Sequence, residues 1–109
     1  MTQEELKQII ISGCKFRYKS YNFRAAKREF ISTLDSREIP EYEESDKLCS
    51  DYMPKELKEK HLVWREGWLR KVDFQSNGNI SRCIIGKHFM YSKSFTLEDF
   101  GESVFPLDL

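Results

Sequence analysis

Between Lys15 and Arg28 the sequence sets six cations, Lys15, Arg17, Lys19, Arg24, Lys27 and Arg28, among four aromatic rings, Phe16, Tyr18, Tyr21 and Phe23, with no acid in the run. Cations neutralise phosphates and aromatic faces stack on bases, so this mixture is one that nucleic-acid binders use. The competing assignment is structural. The rings would be core, and the cations a solvated face or partners of the acids that follow. Residues 29–52 hold eight acids against Arg37 and Lys47, and the last fourteen residues hold four acids and no base. Overall, 18 Lys and Arg balance 18 Asp and Glu. Dedicated nucleic-acid binders are usually basic overall, so the balance favours a charged protein partner over a nucleic acid.

Other chemistry lacks the spacing it requires. Zinc needs three or four converging ligands, usually in close pairs. Cys14, Cys49, Cys83, His61 and His88 are instead scattered singly. A Cys–His nucleophile built from Cys14 or Cys83 with His61 or His88 has nothing to fix its geometry or supply an oxyanion hole. Gly78 and Gly86 read as turn glycines and no phosphate-binding loop is present. The carboxylates of 41–46 form a solvated run, whereas acid–base catalysis needs one or two partly buried acids with separated pKa values. No catalytic residue, metal or cofactor is expected.

The elements that would position the basic segment begin with 68–91. Asn77-Gly78 between two strand-like runs is a hairpin signal for a two-residue turn. That register sets Ser76 opposite Asn79, Phe74 opposite Ser81, Asp73 opposite Arg82 and Val72 opposite Cys83. Gly86-Lys87 would make a second two-residue turn, bringing Ile84 opposite Phe89 and Cys83 opposite Met90. Strands of about 68–74, 80–85 and 88–92 follow. Period 2 places Trp68, Val72, Phe74, Cys83, Ile85, His88 and Met90 on a core face. Leu69, Lys71, Asp73, Ile80, Arg82, Ile84, Phe89 and Tyr91 fall on a mixed face.

Cys14 to Lys19 alternates, with Cys14, Phe16 and Tyr18 opposed to Lys15, Arg17 and Lys19, which predicts a further strand at 14–19, suited to an edge. Thr2 with Glu5 forms a capping box for a helix over 2–12, stopped by Gly13. Phe23, Ala26, Phe30, Ile31 and Leu34 make one stripe of a helix over 22–34, capped by Ser20 or Asn22. Residues 36–51, with Ile39-Pro40, read as an acidic loop. Pro54 opens a helix over 54–62, with Asp51 as its cap, and Gly67 marks a bend or bulge. Thr96 to Asp99 is a capping-box-like turn stapled by Phe95 and Phe100, and the apolar tail 104–107 docks on the body.

The expectation is an α+β fold: one compact domain over 1–109, with an antiparallel meander packed against two or three helices and a short C-terminal helical turn. Nothing approaches a membrane span, and the start lacks a signal peptide, so the expected location is cytoplasmic. Three widely spaced cysteines fit reduced thiols. The leading functional reading is a small non-enzymatic interaction protein, an adaptor, inhibitor or regulator, binding a protein partner through segregated basic and acidic surfaces. The contact residues would be Lys15, Arg17, Lys19, Arg24, Lys27, Arg28, Lys71, Arg82 and Tyr91. A nucleic-acid-binding module built on 15–28 is the alternative, and a small enzyme with an unrecognised site the third reading.

Overall fold

The computed structural model describes residues 1–88 and 92–107. It is an α+β fold. The chain divides into two compact units, one of Met1–Lys19 with Trp64–Leu109 and the other of Ser20–Val63. It leaves the first unit within strand β1 (Phe16–Tyr21) and returns within β2 (Leu62–Phe74).

The first unit is built on a five-stranded antiparallel sheet. Its other strands are β3 (Ile80–Gly86), β4 (Lys93–Phe95) and β5 (Val104–Pro106), in the order β4-β3-β2-β1-β5. The expected edge position of the Cys14–Lys19 strand is overturned, because the apolar tail adds outside it: Phe16 pairs with Pro106, Arg17 with Phe105 and Tyr18 with Val104. Pro106 has no N–H to offer a further strand, which suits the edge. Helix α1 (Gln3–Ser12) starts at Thr2, whose hydroxyl accepts from the Glu5 amide, and stops at Gly13 in the left-handed conformation. Leu6 and Ile9 from this helix meet Phe16, Tyr18, Cys83, Ile85, Phe95, Phe100 and Val104 in one core. Edge-to-face contacts Phe16–Phe100 and Tyr18–Phe95 order its centre. The Thr96–Asp99 capping box is present, and Phe95 and Phe100 on either side of it are both buried.

The sheet keeps the expected Asp73–Arg82 and Val72–Cys83 pairs but differs from the ideal register in three places. At the turn, the Gly78 amide donates to the Gln75 carbonyl and the Gln75 amide to the Asn79 carbonyl, with Gly78 at φ +86°. This is a three-residue loop with glycine at its left-handed position, not the two-residue turn that Asn-Gly suggests. Phe74 therefore faces Ile80, and an irregularity between Asp73 and Phe74 restores the Asp73–Arg82 register. Further along, a bulge falls between Leu69 and Lys71, so the pairs become Leu69–Ile85 and Trp68–Gly86. One extra residue reverses the faces beyond it. Leu69 and Val72, three apart, both pack on the core, Gly67 is buried, and Trp68 faces outward. The bulged Arg70 donates its guanidinium to the Gly86 and Lys87 carbonyls. Thus Trp68 and Phe74, expected in the core, are exposed, as is His88, and Ile80, expected on the mixed face, is buried.

The second meander turn is also corrected. Cys83 pairs with Phe95, Ile84 with Ser94 and Ile85 with Lys93, so β3 and β4 are joined by a longer connection than Gly86-Lys87. The expected strand over 88–92 and its pairings to Phe89, Met90 and Tyr91 fall largely on residues outside those described.

The second unit contains α2 (Phe23–Ser32), α3 (Ile39–Glu44), α4 (Asp46–Tyr52) and α5 (Lys55–Lys60). Asn22 caps α2 by accepting from the Ala25 amide. Its stripe delivers Ala26 and Phe30 to a small core with Cys49 and Met53, bordered by Tyr21, Phe23, Leu34, Tyr42 and Leu57. The expected acidic loop is folded into α3 and α4. Pro40 is the second residue of α3, where its missing N–H costs nothing, and the Ser45 hydroxyl caps α4 by accepting from Leu48. Asp51 lies inside α4, paired with Lys47 at 2.9 Å, and does not cap α5, whose N-cap position is Pro54.

Candidate sheet-face interface

Strands β1, β2 and β5 present their outward residues on one side of the sheet in the first unit. From β1 come Arg17 and Lys19, with Lys15 just before the strand, since Phe16 and Tyr18 between them point into the core. From β2 come Trp64, Glu66 and Trp68, with Trp64 37% and Trp68 41% exposed. From β5 comes Phe105, paired with Arg17 and 37% exposed, while Val104 beside it is buried. These three partly exposed rings lie on one face of the sheet, which makes it the candidate contact surface.

The cations are arranged on the rings. The Arg17 guanidinium lies 4.7 Å from the Trp64 ring centre and the Lys19 ammonium 5.9 Å from it. Lys15 stands 5.0 Å over Trp68 and 3.9 Å from a Glu66 carboxylate oxygen. Phe105 packs against Trp64 with ring centres 5.8 Å apart. An ammonium or guanidinium over an indole contributes about 0.5–1 kcal/mol at an exposed site, which holds each charge in place without neutralising it. The result is a preformed row of cations resting on aromatic rings.

Farther across the same side, Lys71 and Arg82 are present as expected, but both serve Asp73. Arg82 Nε lies 2.5 Å from one carboxylate oxygen and Lys71 Nζ 3.6 Å from the other. The Arg82 hydrogen bond, with help from Lys71, holds the Asp73 carboxyl below the usual carboxylate range against a smaller opposing effect of burial. In the second unit the Lys60 hydrogen bond does the same for Glu29, aided by His61. Both carboxyls are depressed in the folded state. Their stabilising effect is therefore complete above the unfolded carboxylate pKa of ~4 and is lost as pH falls through the lower folded value. Chemical denaturation followed between neutral pH and about pH 3 should show stability falling below roughly pH 4. An Asp73→Asn, Glu29→Gln double variant should show a shallower fall, and an equally steep one would contradict the assignment.

The expected basic segment is divided between the two units, with Lys15, Arg17 and Lys19 in the first. Arg24, Lys27 and Arg28 lie on α2 in the second unit. Lys27 is engaged by Asp46 at 2.6 Å and the Glu43 carbonyl at 3.0 Å. Arg24 and Arg28 are exposed beside a shallow groove of about 300 Å³ that also touches Ile31 and Glu43. Tyr91 lies outside the described residues. The contacts missed in the sequence are Trp64, Trp68 and Phe105. A signal existed for one of them, because Leu62, Trp64 and Glu66 alternate with Val63 and Arg65 as strand residues do. Trp68 was hidden by the bulge.

Among the described residues no group of three His, Cys, Asp or Glu could hold a metal. No helix there is long and apolar enough to cross a membrane. The thiols of the three cysteines are unpaired. Burial pushes the Cys83 thiol up to about 11, and burial raises Cys49 as well. A buried protonated thiol is a poor nucleophile. In the native protein at neutral pH, iodoacetamide should modify the half-buried Cys14 and spare Cys49 and Cys83, with all three reacting in denaturant. Native labelling of Cys83 at the denatured rate would overturn this. Compared with protein-family models, with curated proteins and with solved structures, the chain matches none.

Proposed function

We propose that this protein is a non-enzymatic interaction module, an adaptor, inhibitor or regulator, that binds a protein partner across the open sheet face of its first unit. The observation that carries this reading is the cluster of Trp64, Trp68 and Phe105 in solvent beside Arg17 and the two lysines. Tryptophan and arginine dominate the binding energy of protein interfaces, and aromatic rings are enriched at their centres. Here the rings are held by a sheet, so little conformational entropy is lost on docking.

Affinity capture from a lysate of the source cells tests it, with a Trp64→Ala, Trp68→Ala variant as the comparison. A protein retained by the wild type and lost by the folded variant is the expected result. Identical capture by both would remove the face from consideration.

The same interleaving of cations and rings is the observation that favours a second reading, a single-stranded nucleic-acid binder. Its mark would be salt dependence. Engagement of Lys15, Arg17 and Lys19 by three phosphates gives a slope of about −2 in log K against log salt for a single strand.

A further inference from the structure

We infer that the occupant of the open sheet face is an acidic protein segment, whose carboxylates sit on Arg17 and Lys19 while its apolar side chains rest on Trp64 and Phe105. This deepens the interaction reading of the same face and rests on it. Charge complementarity carries the assignment. Among the described residues, the strip formed by β5, β1 and β2 offers Lys15, Arg17 and Lys19 against Glu66, and Glu66 is paired with Lys15 at 3.9 Å. Among the described residues no acid is paired with Arg17, and that guanidinium, exposed and laid over Trp64, can donate to a carboxylate in a two-pronged geometry. The first unit as a whole carries ten Lys and Arg against eight Asp and Glu, although the chain is neutral.

Three features select a carboxylate-bearing chain over a phosphate backbone. Cations lie over the Trp64 and Trp68 rings, and a base would need an uncovered ring face for stacking, whereas an aliphatic side chain can pack on a ring edge or on Phe105. Glu66 lies on β2 between the two tryptophans in sequence, and its pairing with Lys15 leaves Arg17 and Lys19 to meet a ligand's anionic groups, enough for one or two carboxylates and few for a continuous run of phosphates. Farther across the sheet, Asp73 absorbs the charges of Lys71 and Arg82, so the positive strip is short and ends there. A strip of three cations beside two or three rings matches a few acids interspersed with apolar residues, not a long polyanion.

The experiment is selection of a random-peptide phage library on the protein of residues 1–109, with the enriched peptides synthesised and titrated against wild type and variants by fluorescence anisotropy. Oligothymidylate and oligouridylate are titrated in parallel. The assignment predicts enriched peptides rich in Asp and Glu next to apolar residues. Their binding should weaken with salt and fall by about tenfold or more, ~1.4 kcal/mol, in an Arg17→Gln, Lys19→Gln variant. Neutral or basic peptides that still depend on Trp64 would overturn the acidic assignment and leave the interaction reading standing. Peptides indifferent to Trp64→Ala, or no enrichment at all, would overturn both. An oligonucleotide that binds more tightly than any selected peptide would replace the occupant with a nucleic acid. Self-association abolished by the Arg17→Gln, Lys19→Gln variant, read by sedimentation, would replace it with a second copy of the chain.

Discussion

Gly67→Ala is expected to lower the stability of the fold by about 3 kcal/mol, at the upper end of what inserting a single methyl into a packed site costs. A Cβ built at Gly67 stands 2.5 Å from the Gly86 carbonyl carbon and 2.8 Å from its Cα. Those are backbone atoms of the neighbouring strand, so no side chain can rotate away. Nor can β3 simply retreat, because a Cβ on Gly86 would in turn meet the Ser92 Cα at 2.7 Å. Three segments approach closely at this point, and two glycines make it feasible. Gly78→Ala is the matched control. Its Cβ would meet nothing within 4 Å, and only the positive φ of +86° opposes it. The expected cost there is about 1–2 kcal/mol, the penalty of a left-handed alanine. Denaturant midpoints for the two variants decide the matter. Equal midpoints would mean that the close approach at Gly67 costs no more than a left-handed alanine and would contradict the prediction. The prediction also bears on the candidate site, since the Gly67–Gly86 approach and the bulge at Arg70 together turn Trp68 outward.

Trp64→Ala is expected to leave the fold nearly as stable as the wild type, within about 1 kcal/mol, while weakening partner binding by about 2–4 kcal/mol, some thirty- to a thousandfold. The asymmetry follows from position. The ring lies on the open side of the sheet and shares no side with the core of Phe16, Ile85 and Phe95. Its folded-state partners are Phe105, Arg17 and Lys19, contacts that are individually small at an exposed site. In the proposed complex a partner covering the ring would desolvate its remaining surface and place the indole at the centre of the interface. A variant that unfolds would instead show the ring to be structural, and one that binds undiminished would move the contact elsewhere.

Much of the fold was legible in the sequence because local rules there act without competition. Thr2 with Glu5, Asn22, the alternation of Cys14 to Lys19 and the Asn77-Gly78 hairpin each carry their own physical signal, and each element forms. The Asp73–Arg82 pair emerged even though the turn between the strands has one residue more in its loop than expected, because a compensating irregularity follows. What could not be read was the count of bulges. Each adds one residue, and one residue exchanges the two faces of a strand, so period 2 assigned Trp68 and Phe74 to the core when both are outside. The acidic stretch illustrates a second limit. Pro40 and the run of Glu suggest a loop, yet proline early in a helix is harmless and Tyr42 gives α3 a ring to pack on Phe30 at 5.4 Å. For the site, the cations were visible and their platform was not. Lys15, Arg17 and Lys19 could be placed on one face from alternation alone, but Trp64, Trp68 and Phe105 reach them from segments distant in sequence.

The chain has only two tryptophans, and both lie on the proposed contact face. Their indole N–H resonances are therefore built-in reporters of it. Titrating the captured partner into the 15N-labelled protein should shift or broaden both indole signals, together with the backbone amides of Arg17 and Phe105. Amides of the α2–α5 unit should move less. Saturating binding that leaves both indole signals in place would contradict the account.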